Sequence, residues 1–134
     1  TGAEGIVTTG TLRMQGDTTF KDITVTFNAT GLAFISGEGH NLTIDTGVTT
    51  VNKTGNQVNL VATKRFDASL TANPTLTVRS GKWDYIYATH GNSITGDITV
   101  NLEGGSCRAF SPSYNATVTG NVNAFFKGTA VAEL

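Results

Sequence analysis

Residues 94–105 read I-T-G-D-I-T-V-N-L-E-G-G, a tight turn followed at once by a run in which apolar and polar residues alternate. Variants of this unit recur along nearly the whole chain. A short phrase repeated many times points to stacked coils, because no single copy can bury its apolar side alone. Cores of the form apolar, Thr or Asn, apolar occur at Ile23-Thr24-Val25, Leu42-Thr43-Ile44, Val58-Asn59-Leu60, Leu76-Thr77-Val78, Ile98-Thr99-Val100 and Val122-Asn123-Ala124. They begin 19, 16, 18, 22 and 24 residues apart, irregular spacings that stay inside the range of one solenoid coil. Three cores follow nearly the same turn: Thr54-Gly55-Asn56, Thr95-Gly96-Asp97 and Thr119-Gly120-Asn121. Gly, Asn and Asp tolerate the positive φ of a sharp corner.

Successive side chains of a strand face opposite sides, so the flanking apolar residues of each core point inward and the central residue outward. Stacked coils then give an outward ladder of Thr24, Thr43, Asn59, Thr77, Thr99 and Asn123. The reading is an all-β, right-handed parallel β-helix of about six to seven irregular coils, 16–24 residues each, in a single domain over 1–134. Right-handedness rests on the general rule for parallel crossovers. Residues 1–19 lack the core motif and are expected to be an N-terminal cap or a loose arm; 20–121 hold the coils; 122–134 form a last coil or a docking end.

Composition supports strands and corners and removes several functions. The chain has 24 Thr, 11 Asn and 16 Gly against two Pro, and no helical period longer than two turns. Charged residues make up 14% with a net charge of −1, so a nucleic-acid partner is not expected. No stretch approaches the about 18 apolar residues of a membrane span. Cys107 has no disulfide mate and reads as a small buried apolar residue. His40 and His90 sit in Gly/Asn corners without Cys, His or Asp at metal spacing, so neither a metal nor another cofactor is expected. A start at Thr1 without Met is read as a removed leader or an excised part, and both fit a secreted origin.

Candidate sites are few. Trp83, Tyr85 and Tyr87 share one strand parity and Ile86 the other. If Ile86 faces inward, the three rings make an exposed strip suited to stacking on sugar rings or on another protein; if they face inward, they fill the core. Lys64, Arg65 and Asp67 form the single charge cluster, a solvated loop or a site for an acidic sugar. The segment V-N-A-F-F-K-G-T-A-V-A-E-L is the most apolar and shows no capping helix. Ile6 and Val7 at one end, and Phe125, Phe126, Val131 and Leu134 at the other, are therefore candidate assembly surfaces. Four N-x-T sequons, at Asn28, Asn41, Asn52 and Asn115, are candidate glycosylation acceptors.

The stretch T-L-T-V-R-S-G-K-W-D-Y-I-Y-A-T-H-G-N-S-I-T-G-D-I-T-V-N-L-E-G-G resembles the right-handed parallel β-helix repeats of bacterial and archaeal adhesin-like cell-surface proteins, with their W/Y-D-Y-I/V-Y, T-G-D and Gly-Gly elements. The match is strong over 75–122 and rhythmic elsewhere. It implies an extracellular, surface-associated or fibrous role and no particular ligand.

Three functions follow as expectations. The first is a structural or adhesive extracellular module, self-assembling head to tail into a filament, with surface glycans as further partners. The second is a polysaccharide-acting enzyme. Its site would need paired carboxylates, or carboxylates with a base, over adjacent rungs. The column Thr26, Asp45, Val61, Arg79, Asn101, Phe125 offers one acid and one base with Val61 between them, so no catalytic residue is assigned. The third is ice binding, for which a Thr-x-Thr on every coil is wanted; of the six cores only the first continues into one, Thr24-Val25-Thr26.

Overall fold

Alternation at every second residue, with small residues at the corners, lets each strand lie beside its counterpart one turn away and run the same direction. The computed structural model describes residues 5–55, 58–64, 69–91 and 93–133, and none of these is helical. The first turn holds β1 (Ile6–Thr8), β2 (Thr11–Arg13) and β3 (Thr18–Phe20), and the second β4 (Thr24–Phe27), β5 (Ala33–Ser36) and β6 (Leu42–Ile44). The third holds β7 (Thr49–Asn52), β8 (Val58–Lys64), β9 (Leu70–Thr71) and β10 (Thr75–Val78). The fourth holds β11 (Lys82–His90), β12 (Ile94–Thr95) and β13 (Ile98–Leu102). The fifth holds β14 (Ser106–Ser111), β15 (Val118–Thr119) and β16 (Val122–Phe126), after which β17 (Ala130–Glu133) starts another. All strand pairs are parallel. The protein is thus a parallel β-solenoid of about five turns, rather than the six or seven expected.

Four faces result. Face A is β1-β4-β7, face B β2-β5-β8-β11-β14-β17, face C β3-β6-β10-β13-β16 and face D β9-β12-β15. Early turns use A, B and C; late turns use B, D and C. Inward columns are almost wholly buried: Ile44, Val78 and Leu102 on face C, and Leu60 and Ile86 on face B, are all at 0% exposure. Cys107 lies inward beside Trp83 and is buried, and that burial raises its thiol pKa.

The face assignment corrects the expected ladder. Ile23-Thr24-Val25 belongs to face A and Val58-Asn59-Leu60 to face B, while the other four cores lie on face C. On face C itself Leu76 pairs with Val100 rather than Ile98. The outward columns there are Thr19, Thr43, Thr77, Asn101, Phe125 and, beside it, Thr75, Thr99, Asn123. Late rungs repeat every 24 residues, as in Trp83, Cys107 and Val131, so the core spacings of 19, 16 and 18 came from comparing different faces and that of 22 from the two-residue offset on face C.

Corners set this register. Gly96 (φ +133°) sits on Ala72 and Gly120 (φ +135°) on Gly96, where a Cβ would come 2.0 and 2.2 Å from the carbonyl oxygen of the rung below. Asn73 and Asp97 side chains accept the N–H of Asp97 and Asn121 at 2.8 and 2.9 Å. The stacked corner is therefore T-A-N, T-G-D, T-G-N. Thr54-Gly55-Asn56 is a separate corner between faces A and B, where Gly55 faces open space and Asn56 lies outside the described residues.

Candidate functional site: an aromatic cleft outside face B

β11 is the longest strand among the described residues, and strict alternation along K-W-D-Y-I-Y would put all three large rings on one side. Its pairing with β8 shifts instead: Trp83 lies opposite Val58 but Ile86 opposite Leu60, so three steps of β11 match two of β8. This is a β-bulge. It turns both Trp83 and Ile86 inward, at 1% and 0% exposure, and leaves Tyr85 and Tyr87 outside. Trp83 therefore leaves the expected strip and joins the core, its indole N–H donating to the Ser80 carbonyl at 3.0 Å. Asn59 faces the bulge. Its Oδ1 accepts the Tyr85 N–H at 2.9 Å and its Nδ2 donates to the Ala33 carbonyl at 3.4 Å, so a buried amide fills the gap left in the ladder.

Outside the sheet the rings gather. Tyr85 and Tyr87 stack at 5.6 Å between centroids, Tyr87 meets His90 edge-on at 4.8 Å, and His90 stacks on Tyr114 at 4.9 Å. Phe34 lies 5.4 Å from His90. Phe34, Val61 and Tyr87 are themselves buried, a second small apolar cluster on the outer side of face B. Tyr114 is held by its backbone, its carbonyl accepting from Gly91 N–H and its N–H donating to the Thr89 carbonyl. Phe34, Tyr85, Tyr87, His90 and Tyr114, with Ser111 and with Leu32 at the rim, line a cleft of about 300 Å³. Leu32 and Tyr114 are 61% and 48% exposed, so apolar surface is open to an incoming molecule. Burial raises the Tyr87 pKa, with the nearby Tyr85, Tyr114 and Asp84 charges adding to it.

His90 is thus not in a solvated corner but inside a ring cluster, while His40 is half-buried in the corner after β5. Phe34, His90 and Tyr114 were not foreseen as site residues. The available signal was the spacing of 24 between His90 and Tyr114, the coil period, which the paired bridge between them reflects.

Elsewhere, Asp45 and Arg79 prove to be direct neighbours, with no Val61 between them. Arg79 Nε donates to Glu103 at 2.9 Å and its Nη1 lies 3.6 Å from Asp45. The Glu103 hydrogen bond is the main cause of a raised Arg79 pKa. This column sets one cation between two carboxylates, each paired with it. No cluster of metal-ligating residues and no helix able to cross a membrane occurs among the described residues. Ile6 packs against the core, Val7 is exposed, Val131 is half-buried, and Phe125 and Phe126 are 47% and 53% exposed. Leu134, Arg65, Asp67 and the Lys64 side chain lie outside the described residues. Of the sequons, Asn28, Asn41 and Asn115 are exposed, the Asn41 side chain accepting the Thr75 N–H, while Asn52 is half-buried and donates to the Gly31 carbonyl. The chain matches no family model, no curated protein and no solved structure.

Proposed function

We propose that the chain is an extracellular structural and adhesive module, a stiff solenoid that presents the aromatic cleft to surface carbohydrate. The carrying observation is the gathering of Tyr85, Tyr87, His90 and Tyr114 on one outer face, while outer face C carries Thr and Asn. Aromatic rings with hydroxyl edges stack on the apolar side of a pyranose and hydrogen-bond its rim. A cleft of about 300 Å³ lies at the lower limit of small-molecule sites. Oligosaccharide binding followed by calorimetry tests this. Tyr114→Ala should weaken binding by about tenfold with an unchanged melting temperature. A wild-type chain that binds no sugar would remove the reading.

A second reading, end-to-end assembly, draws on the last rung. Phe20 and Phe126 occupy the same inward column, yet Phe20 is 7% exposed and Phe126 53%, and β15, β16 and β17 stand at sheet edges. A further rung would cover them. A joint between copies would match only faces B and C, because the first rung carries β1 of face A and the last β15 of face D. It would also bring Lys127 over Lys21, since each follows the Phe of that column. Electron microscopy and light scattering over a dilution series decide: filaments that persist support assembly, and a monomer throughout excludes it.

A further inference from the structure

The outer side of face C carries a third column beside the two of Thr and Asn. Register places Lys21, Asp45, Arg79, Glu103 and Lys127 one rung apart, each directly after an inward residue: Phe20, Ile44, Val78, Leu102 and Phe126. The signs alternate at every step. Arg79 is paired with the acid on either side, at 3.6 Å to Asp45 and 2.9 Å to Glu103. Opposite charges across neighbouring strands favour a register and like charges oppose it. The column ends in a cation, so the place beyond Lys127 calls for an acid.

That place is open. Beyond β16 no strand lies among the described residues, and Phe126 is 53% exposed in the inward column. Lys127 is exposed, its ammonium 5.4 Å over the Phe125 ring. At the other end Phe20 is covered. The corner adds a second requirement. Gly104 and Gly128 each follow the charged residue, and a Cβ on them would come 2.4 and 2.5 Å from the carbonyl oxygens of Arg79 and Glu103 in the rung below. A strand laid on β16 by the same geometry needs glycine after its acid. A second copy offers Lys21-Asp22 at these two places, wrong in charge and carrying a Cβ.

We propose that the last rung takes a strand of another protein with the pattern Gly-x-apolar-x-apolar-x-apolar-acid-Gly, seated parallel on β16 with its acid over Lys127. Residues 96–104 of this chain have that pattern and sit in this way on β10, with Glu103 over Arg79. The proposal rests on the open last rung that end-to-end assembly also uses, and differs from it in the occupant.

Fluorescence anisotropy tests this with a labelled peptide of residues 95–105, T-G-D-I-T-V-N-L-E-G-G, and the same peptide with Glu103→Lys, each titrated with the full chain. The unaltered peptide should bind at least about fivefold tighter than the Glu103→Lys form, a gap that narrows as salt rises. Lys127→Glu in the chain, at an exposed position, should reverse that order with an unchanged melting temperature. Gly104→Ala in the peptide should abolish binding. Equal binding of the two charge forms, an order that Lys127→Glu leaves in place, or undiminished binding of the Gly104→Ala peptide would overturn the proposal. So would binding of no peptide. In that last case, filaments that persist on dilution would leave end-to-end assembly standing, and a monomer throughout would remove both.

Discussion

Faces B and C share one construction on the inside and differ on the outside. In β13 of face C the residues alternate strictly between buried Ile98, Val100 and Leu102 and half-exposed Thr99 and Asn101. In face B the outward residues Phe34, Asn59, Val61, Thr63 and Tyr87 are also buried. A one-sided sheet shows its period in the sequence because water selects the outer residues. Where a second layer of side chains covers the sheet, both parities are apolar or satisfied, and the period fades. The covered face is also the one carrying the cleft.

Charges placed under the two faces should give the largest contrast. Val100→Asp puts an unpaired carboxylate in the inner column between Leu76 and Ala124, a cost of several kcal/mol against a total stability of about 5–15 kcal/mol. Circular dichroism is expected to show loss of the fold. Val61→Asp, equally buried but beside the half-open Tyr85, should cost about 2–4 kcal/mol and leave a folded chain with a lower melting temperature. If both variants unfold alike, the outer cluster is as much a core as the inner one.

Next in size is the bulge. Asn59→Leu keeps the volume but strands the Tyr85 N–H, at about 1–3 kcal/mol for a buried group left unsatisfied. It should also disturb the tyrosine signal in the near-ultraviolet, because the amide holds Tyr85 beside Tyr87. A melting temperature and spectrum like those of the wild type would mean that the bulge stands without Asn59.

These two faces explain what was legible beforehand. The solenoid followed from alternation and from T-G-D, and Gly104, in the run E-G-G, sits where a Cβ would come 2.4 Å from the Arg79 carbonyl oxygen of the rung below. Register was not legible, because sliding Leu76-Thr77-Val78 by two residues keeps every apolar residue inside. Pairing Leu76 with Val100 aligns the corner bonds at Asn73 and Asp97, which the apolar pattern does not contain. The bulge was hidden for another reason: its amide partner lies 26 residues away. The cleft draws rings from three turns, Phe34, Tyr87 and Tyr114, so no single stretch could display it.

A smaller difference between the faces should appear in alkali. Burial holds the Tyr87 proton to higher pH than in the unfolded chain. Below the ordinary tyrosine range, near pH 10, both states keep it and its contribution is fully present. As pH rises through that range the unfolded chain ionises first, so stability falls until the folded phenol ionises too. Tyr87→Phe should flatten that part of the pH-melting curve. An identical slope in the variant would place the alkaline loss elsewhere.

The smallest effect belongs to face C. Thr77 lies in the outward column between Thr43 and Asn101 but is only 9% exposed, so Thr77→Ser removes one methyl that its neighbours already cover and should cost about 0.5–1 kcal/mol. The inward neighbours Leu76 and Val78 are at 0% exposure, and losing a methyl from either would leave a gap in the stacked core. Thermal melts of Thr77→Ser and Val78→Ala, measured together, therefore compare the two sides of one strand. A cost for Thr77→Ser above that of Val78→Ala would mean that the outer side of face C is covered like that of face B, and the contrast between the two faces would fail at its simplest strand.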